Sequence, residues 1–290
     1  MKTRLLVGAL IVLVLAAGGC RKPSNEPPVA TPAVTLNHTR VPLGSPLEVT
    51  YEFKVAADAP AFKEDLIVFV HFVDADEELM WTDDHFPPVP TTQWKPGQTI
   101  RYNRLLFAPV YQYVGDATVR AGLYGKDKKR VALAGADNGQ RAYAVAKFQV
   151  APQSESVYLT YRDGWHLAEV LPDNSGKEWH WTQKEATLSF KNPKRNAVFF
   201  LDYGGQQKVM AESQTVTVTV GGDVVDTFQV GGTGDVRRIP LTVNQLGMGD
   251  QVSVTLSVDR TFVPAMLSGG AMPDRRELGL QVFHAYVDTR

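Results

Sequence analysis

Three sets of side chains in this 290-residue chain have the types and spacing for chemistry. The first is His71, Asp83 and His85. Leu66–Asp74 and the segment leading to His85 read as the two arms of a hairpin that turns around Ala75–Glu78. That pairing sets His71 opposite Asp83, with His85 on the same face two residues on. Two imidazoles and a carboxylate gathered in this way are a ligand set for zinc or another divalent metal. The structural alternative is a hydrogen-bonded histidine in a core strand beside a solvated acidic turn, Asp74, Asp76, Glu77 and Glu78. A register slip of one residue would send one arm's side chains to the other face. The acidic turn lacks the spacing and the turn glycine of an EF-hand loop, and no residue pattern requires a cofactor.

The second set is aromatic: Trp165, Trp179 and Trp181, with Trp81 and Trp94 nearer the N-terminus. Sugar rings present apolar C–H faces that stack on indole, and a few flanking polar groups then fix orientation. Trp179 and Trp181 share one strand face and His180 takes the other. Outward, the pair is a platform for a glycan or a protein partner; inward, it anchors a core. The third set is carboxylate: Glu169, Asp173 and Glu178, or Asp274 with Glu277. Glycoside hydrolysis needs two carboxylates about 5–9 Å apart across a cleft. Arg275 and Arg276 beside Asp274 and Glu277 point instead to ion pairs that hold a loop. The chain has no G-x-S-x-G, no H-E-x-x-H and no phosphate-binding glycine loop, so no catalytic residue is assigned.

The single cysteine, Cys20, follows Lys2, Arg4, the apolar run Leu5–Ala17 and the small pair Gly18-Gly19. This is the order of a signal peptide: charged start, short apolar middle, small residues at the cleavage site. A cysteine immediately after the small residues is the expected site of bacterial lipidation, with residues 1–19 removed. Arg21 in place of an aspartate mildly favours the outer membrane. The apolar run is shorter than the roughly 20 residues that span a bilayer. Arg21–Ala33, rich in proline and polar residues, then reads as a flexible tether.

Positioning these groups falls to β-structure throughout. Leu47–Val55 alternates, Leu66–Asp74 is nearly all apolar, and Thr118–Tyr124 and Arg141–Val150 complete a first group. Thr215–Val220, turning at Gly221-Gly222-Asp223 into Val224–Val230, is a hairpin. Ala186–Phe190, Ala197–Tyr203, Val252–Val258 and Leu278–Val287 add strands, and Val243–Leu246 a short helical turn. Small and polar residues at 151–156 separate the groups. The expected fold is all-β: an immunoglobulin-like antiparallel sandwich over 34–150, a linker, then a second sandwich, jelly-roll or immunoglobulin-like, over 157–290. The formal net charge is −1, and loss of Lys2 and Arg4 lowers it by two. That balance gives no electrostatic case for nucleic acid.

Gly164-Trp165-His166 with Glu169, Trp179-His180-Trp181-Thr182, Phe262-Val263-Pro264-Ala265 and Asp274-Arg275-Arg276-Glu277-Leu278-Gly279 resemble a β-sandwich module appended to bacterial membrane glycosyltransferases and found in lipoproteins. Val70–Asp74, Asp84-His85, Pro87, Pro90-Thr91 and Trp94–Gly97 are similar to an immunoglobulin-like extracytoplasmic module that accompanies such enzymes. The resemblance implies a fold and an envelope setting and transfers no catalytic residue. The combined expectation is a non-catalytic, lipid-anchored envelope protein that binds polysaccharide or docks on a membrane-bound complex. The alternatives are a structural surface protein without a small ligand, and a metal-dependent or carboxylate-based hydrolase.

Overall fold

A computed structural model describes residues 26–171, 178–205, 210 and 212–289. Cys20, the signal sequence, Asp173 and the first part of the tether lie outside these described residues. Eight strands form the first unit: β1 (Ala30–Leu36), β2 (Arg40–Pro42), β3 (Pro46–Val55), β4 (Ile67–Val73), β5 (Leu79–Thr82), β6 (Thr99–Phe107), β7 (Gly115–Tyr124) and β8 (Tyr143–Ala151). They make a three-stranded sheet, β1-β3-β6, and a five-stranded sheet, β2-β8-β7-β4-β5. All pairs are antiparallel except β2 with β8. Alternation of apolar and polar residues puts Leu47, Val49, Tyr51 and Phe53 of β3 inside against Val68, Val70 and Phe72 of β4. The two inner faces thus close one core. The tether ends earlier than expected, because Ala30–Ala33 already pair with Glu52–Val55 and Ala30 is buried.

Ten strands form the second unit: β9 (Leu159–Tyr161), β10 (Glu169–Val170), β11 (Glu178–Trp181), β12 (Glu185–Lys191), β13 (Ala197–Tyr203), β14 (Thr215–Val220), β15 (Asp223–Gln229), β16 (Asp235–Leu241), β17 (Gln251–Val258) and β18 (Gln281–Asp288). Their orders are β10-β11-β18-β13-β16 and β15-β14-β17-β12-β9. Val216, Val218, Leu188 and Leu256 from one sheet meet Phe199, Leu201, Val282 and Ile239 from the other in a separate core. Pro240 is accommodated in β16 because that strand lies at a sheet edge. The helical turn α1 (Val243–Leu246) carries a capping box in which Thr242 and Gln245 satisfy each other's backbone N–H. A second turn, α2 (Pro264–Leu267), begins on proline. No helix among the described residues is long and apolar enough to cross a membrane.

Four contacts among the described residues join the units, one of them His38 Nε2 with the Asp288 carboxylate at 3.6 Å. Arg238 pairs with Glu48 at 2.7 Å, the His284 Nε2–H donates to the Gly44 carbonyl at 2.8 Å, and the Phe107 ring meets the His284 ring edge-on at 4.6 Å. The contacting face is the outer side of β13 and β18, where Asp202 pairs with His284 across the strands. A bulge between Asp202 and Tyr203 leaves Phe283 without a cross-strand partner.

Candidate functional site

The expected metal set does not assemble. His71 stands opposite Thr82, and the ladder continues through Asp83 N–H to the Val70 carbonyl and through the Val68–His85 bridge. Asp83 and His85 therefore share the inner face with Val68 and Val70, while His71 is on the outer face. A bulge between Phe72 and Val73 sets this register, one residue away from the expected one. His71 Nε2 lies 3.9 Å from Asp84 Oδ1, and its ring packs beside Phe69. No cluster of three metal-ligating side chains occurs among the described residues.

Asp83 instead closes a polar network inside the first sandwich. Its carboxylate receives two bonds from Arg104, both 2.7 Å, and one from the Tyr51 hydroxyl at 2.9 Å. His85 donates from Nδ1 to the Asp83 carbonyl at 2.6 Å and accepts from the Tyr102 hydroxyl at 2.8 Å. Both ring nitrogens are committed to the neutral form, and burial pushes the imidazole below its ordinary range. Desolvation, then the neighbouring Asp83 charge, pushes the Tyr51 phenol far up. The network is structural.

None of the five tryptophans is exposed. Trp94 is buried against Phe53 and Phe62 with its indole N–H on the Val89 carbonyl, and Trp81 stacks on Phe72 at 4.7 Å. Trp181 points away from the sandwich core yet is covered, with Phe262 and Leu278 closing over it. The remaining two are half-buried braces. Trp165, held by its N–H on the Thr187 carbonyl at 2.8 Å, meets the Tyr161 ring edge-on at 4.7 Å, and Trp179 meets Phe283 at 6.4 Å. Of the two roles the sequence leaves open, these indoles take the packing one, with Trp165 and Trp179 set against the smaller aromatics Tyr161 and Phe283.

Of the carboxylates before the last strand, Asp274 is ion-paired as its sequence neighbours suggest, and Glu277 is hydrogen-bonded instead. Arg276 bridges Asp274 at 2.6 Å and Glu169 at 2.7 Å. Hydrogen bonds from Arg276 hold the Asp274 carboxyl down to about 2. Glu277 accepts from Thr261 at 2.6 Å. These groups fix the loop that covers Trp181.

The residues that do converge lie at the junction of the two units, in a cleft of about 910 Å³. Its volume is in the range of small-ligand sites, about 300–1,000 Å³. Phe107 and Val110 come from the first sandwich, Tyr158 from the linker, and Tyr161, Glu178, His180, Asp202 and Phe283–Tyr286 from the second. Tyr161 stacks on His180 at 4.5 Å. Tyr158 is 79% exposed, so its ring is free to meet a ligand. Burial, then the Glu178 charge, raises the Tyr161 phenol to about 12. Asp202 is half-buried, and desolvation reinforced by Asp235 raises its carboxyl to about 6. Burial lowers His284, leaving a neutral ring whose Nε2–H is committed to Gly44. Of these residues, sequence reasoning singled out only Glu178 and His180. The others come together through the packing of two units, for which no local pattern exists.

No protein-family model and no curated protein matches the chain. Solved structures overlap it only slightly. A family GH115 4-O-methyl-α-glucuronidase with specificity for decorated arabinogalactans is 13% identical with a TM-score of 0.32, over 47% of this chain and 18% of that one. A family 35 carbohydrate-binding module from Clostridium thermocellum is 10% identical with a TM-score of 0.28, over 46% of this chain and 99% of that one. An exo-β-1,3-galactanase from Phanerochaete chrysosporium, solved with galactose, is 10% identical with a TM-score of 0.27, over 89% of this chain and 57% of that one. Overlaps this slight carry no assignment of site or activity.

Proposed function

We propose that this protein is a non-catalytic, lipid-anchored envelope protein that holds polysaccharide in the cleft between its two β-sandwiches. The observation that supports this reading is the composition of the cleft wall. Tyr158, Tyr161 and Phe283 offer flat apolar faces, and Glu178, His180 and Asp202 stand among them as hydrogen-bonding groups. Aromatic faces with a few convergent polar groups are what a sugar ring requires. Cys20 and the segment before it supply the anchor and the envelope setting.

A glycan array probed with detergent-solubilised full-length protein tests the binding. Tyr158→Ala removes one stacking face worth about 0.5–1.5 kcal/mol, so affinity for the bound polysaccharide should fall about 2–10-fold. Circular dichroism should be unchanged, because the Tyr158 ring is mostly in solvent. Absence of binding to any polysaccharide, or wild-type affinity of Tyr158→Ala together with Tyr161→Ala, rejects the reading. Shortening of the polymer on incubation would reject its non-catalytic part. For the anchor, Cys20→Ser should move the protein from the membrane to the soluble fraction.

A further inference from the structure

We propose that the cleft selects polysaccharide carrying free amino groups, through the two carboxylates and the aromatic wall that line it. This rests on the sugar-binding reading above and names the substrate class for that site. Among the described residues the charge of the lining is one-sided: Glu178 and Asp202 face the cleft, and no lysine or arginine does. Among them, too, the Asp202 carboxylate receives no hydrogen bond and makes no ion pair, its backbone alone being paired in the ladders. The groups facing it from adjacent strands do not neutralise it. His284 on β18 is neutral with its Nε2–H committed elsewhere, and Asp235 at the start of β16 is a second anion. The nearest arginines are occupied, Arg237 by Asp226 at 2.6 Å and Arg238 by Glu48 at 2.7 Å. Glu178 has His180 beside it, at 3.7 Å.

A partly desolvated carboxylate without a cation strengthens the potential in the cleft and favours a positive ligand group. The aromatic rings add to the same preference, since an ammonium group is attracted to a ring face. An anionic polymer of uronic acids would meet like charge. A neutral sugar gains stacking and hydrogen bonds from its hydroxyls, without charge pairing. A protonated amino sugar gains stacking, charge pairing with Asp202 and a donor for each carboxylate oxygen.

The test is calorimetric titration of the detergent-solubilised full chain with four oligosaccharide probes and one peptide. The probes are oligomers of glucosamine, of N-acetylglucosamine, of glucose and of galacturonic acid, together with trilysine. Glucosamine oligomers should bind at least tenfold more tightly than the N-acetylated and neutral ones, with galacturonate weakest. Asp202→Asn should reduce that preference to threefold or less, and Glu178→Gln should reduce it in part. Lowering the pH from 7.5 to 5 should weaken glucosamine binding. The ligand amine becomes more protonated over that range, so the loss comes from the protein's own groups, and a smaller loss in Asp202→Asn assigns it to that carboxylate. Equal affinity for free and acetylated oligomers overturns the selectivity and leaves the sugar-binding reading standing. No binding of any oligosaccharide removes both. Trilysine binding as tightly as glucosamine oligomers overturns the amino-sugar assignment in favour of a basic peptide.

Discussion

Asp83 and Asp202 show how two aspartates in one chain take opposite parts. Asp83 is buried but satisfied by Arg104 and Tyr51. Asp83→Ala leaves the buried Tyr51 hydroxyl without its acceptor and the Arg104 guanidinium, 38% exposed, without its partner, and should cost about 2–3 kcal/mol. Tyr51→Phe removes a single hydrogen bond and should cost only about 1 kcal/mol. Urea denaturation that found the two equal would remove the network's structural role. Asp202 is half-buried without a partner, and its carboxyl is raised to about 6 from an ordinary 3.8. The folded state therefore holds a proton that the unfolded chain has released, and this stabilises fully below about 3.8. The contribution is lost as the pH rises through about 6. Asp202→Asn should raise the melting temperature at pH 7.5 and leave it nearly unchanged at pH 4. The histidines run the other way. Burial lowers His71, His85 and His284, so their contribution is present above about 6.5 and is lost as acid protonates the unfolded chain first.

Strands declare themselves where their inward residues are apolar. The alternation of Thr215–Val220, and the apolar run of β4 between two neighbouring strands, marked those elements in the sequence. β6 escaped the reading because its inward positions include Tyr102 and Arg104, which serve the Asp83 network and break the alternation. The two-residue β10 is too short for any period. One turn carries more than its length suggests. Gly164 has φ +78°, and a Cβ there would stand 1.9 Å from the Glu185 carbonyl oxygen. The Gly164 carbonyl also accepts from Gln183 N–H at 2.7 Å, tying the turn before Trp165 to β12. Gly164→Ala should destabilise the protein by well over the ~1 kcal/mol of a mere conformational penalty, because backbone must move. A thermal melt within a degree of wild type would contradict this. Gly222→Ala is the control: its φ is also positive, at +93°, but nothing lies within 4 Å.

At the scale of the molecule, the cleft exists only while the two sandwiches stay docked. Arg238–Glu48 is a half-exposed pair, and such pairs contribute about 0–1 kcal/mol. The buried part of the junction is the His284 ring on Gly44 and Phe107. Glu48→Arg replaces attraction with repulsion across the junction while touching neither core. It should increase proteolysis of the linker around Gln153–Tyr158 and weaken polysaccharide binding several-fold, with the stability of each sandwich within about 0.5 kcal/mol of wild type. Unchanged proteolysis and unchanged binding would mean that the pair does not hold the cleft.

By itself the sequence determined the all-β class, the position of most main strands, a short helical turn at Val243–Leu246 and the pairing of Asp274 with Arg276. The strands are written in a period of two and the pairing in adjacent opposite charges, while the cap on the turn emerged only in the structure. The sequence also carries the expectation of an anchor at Cys20. Only the tertiary structure decided which face each side chain takes and what meets across the units. Period two orders faces relative to a partner strand, and a single bulge after Phe72 was enough to part His71 from Asp83 and His85. Gly44 and His284 touch across 240 residues of chain. The cleft between them is built by the packing of two separately formed cores, whose relation no short-range pattern in the chain encodes.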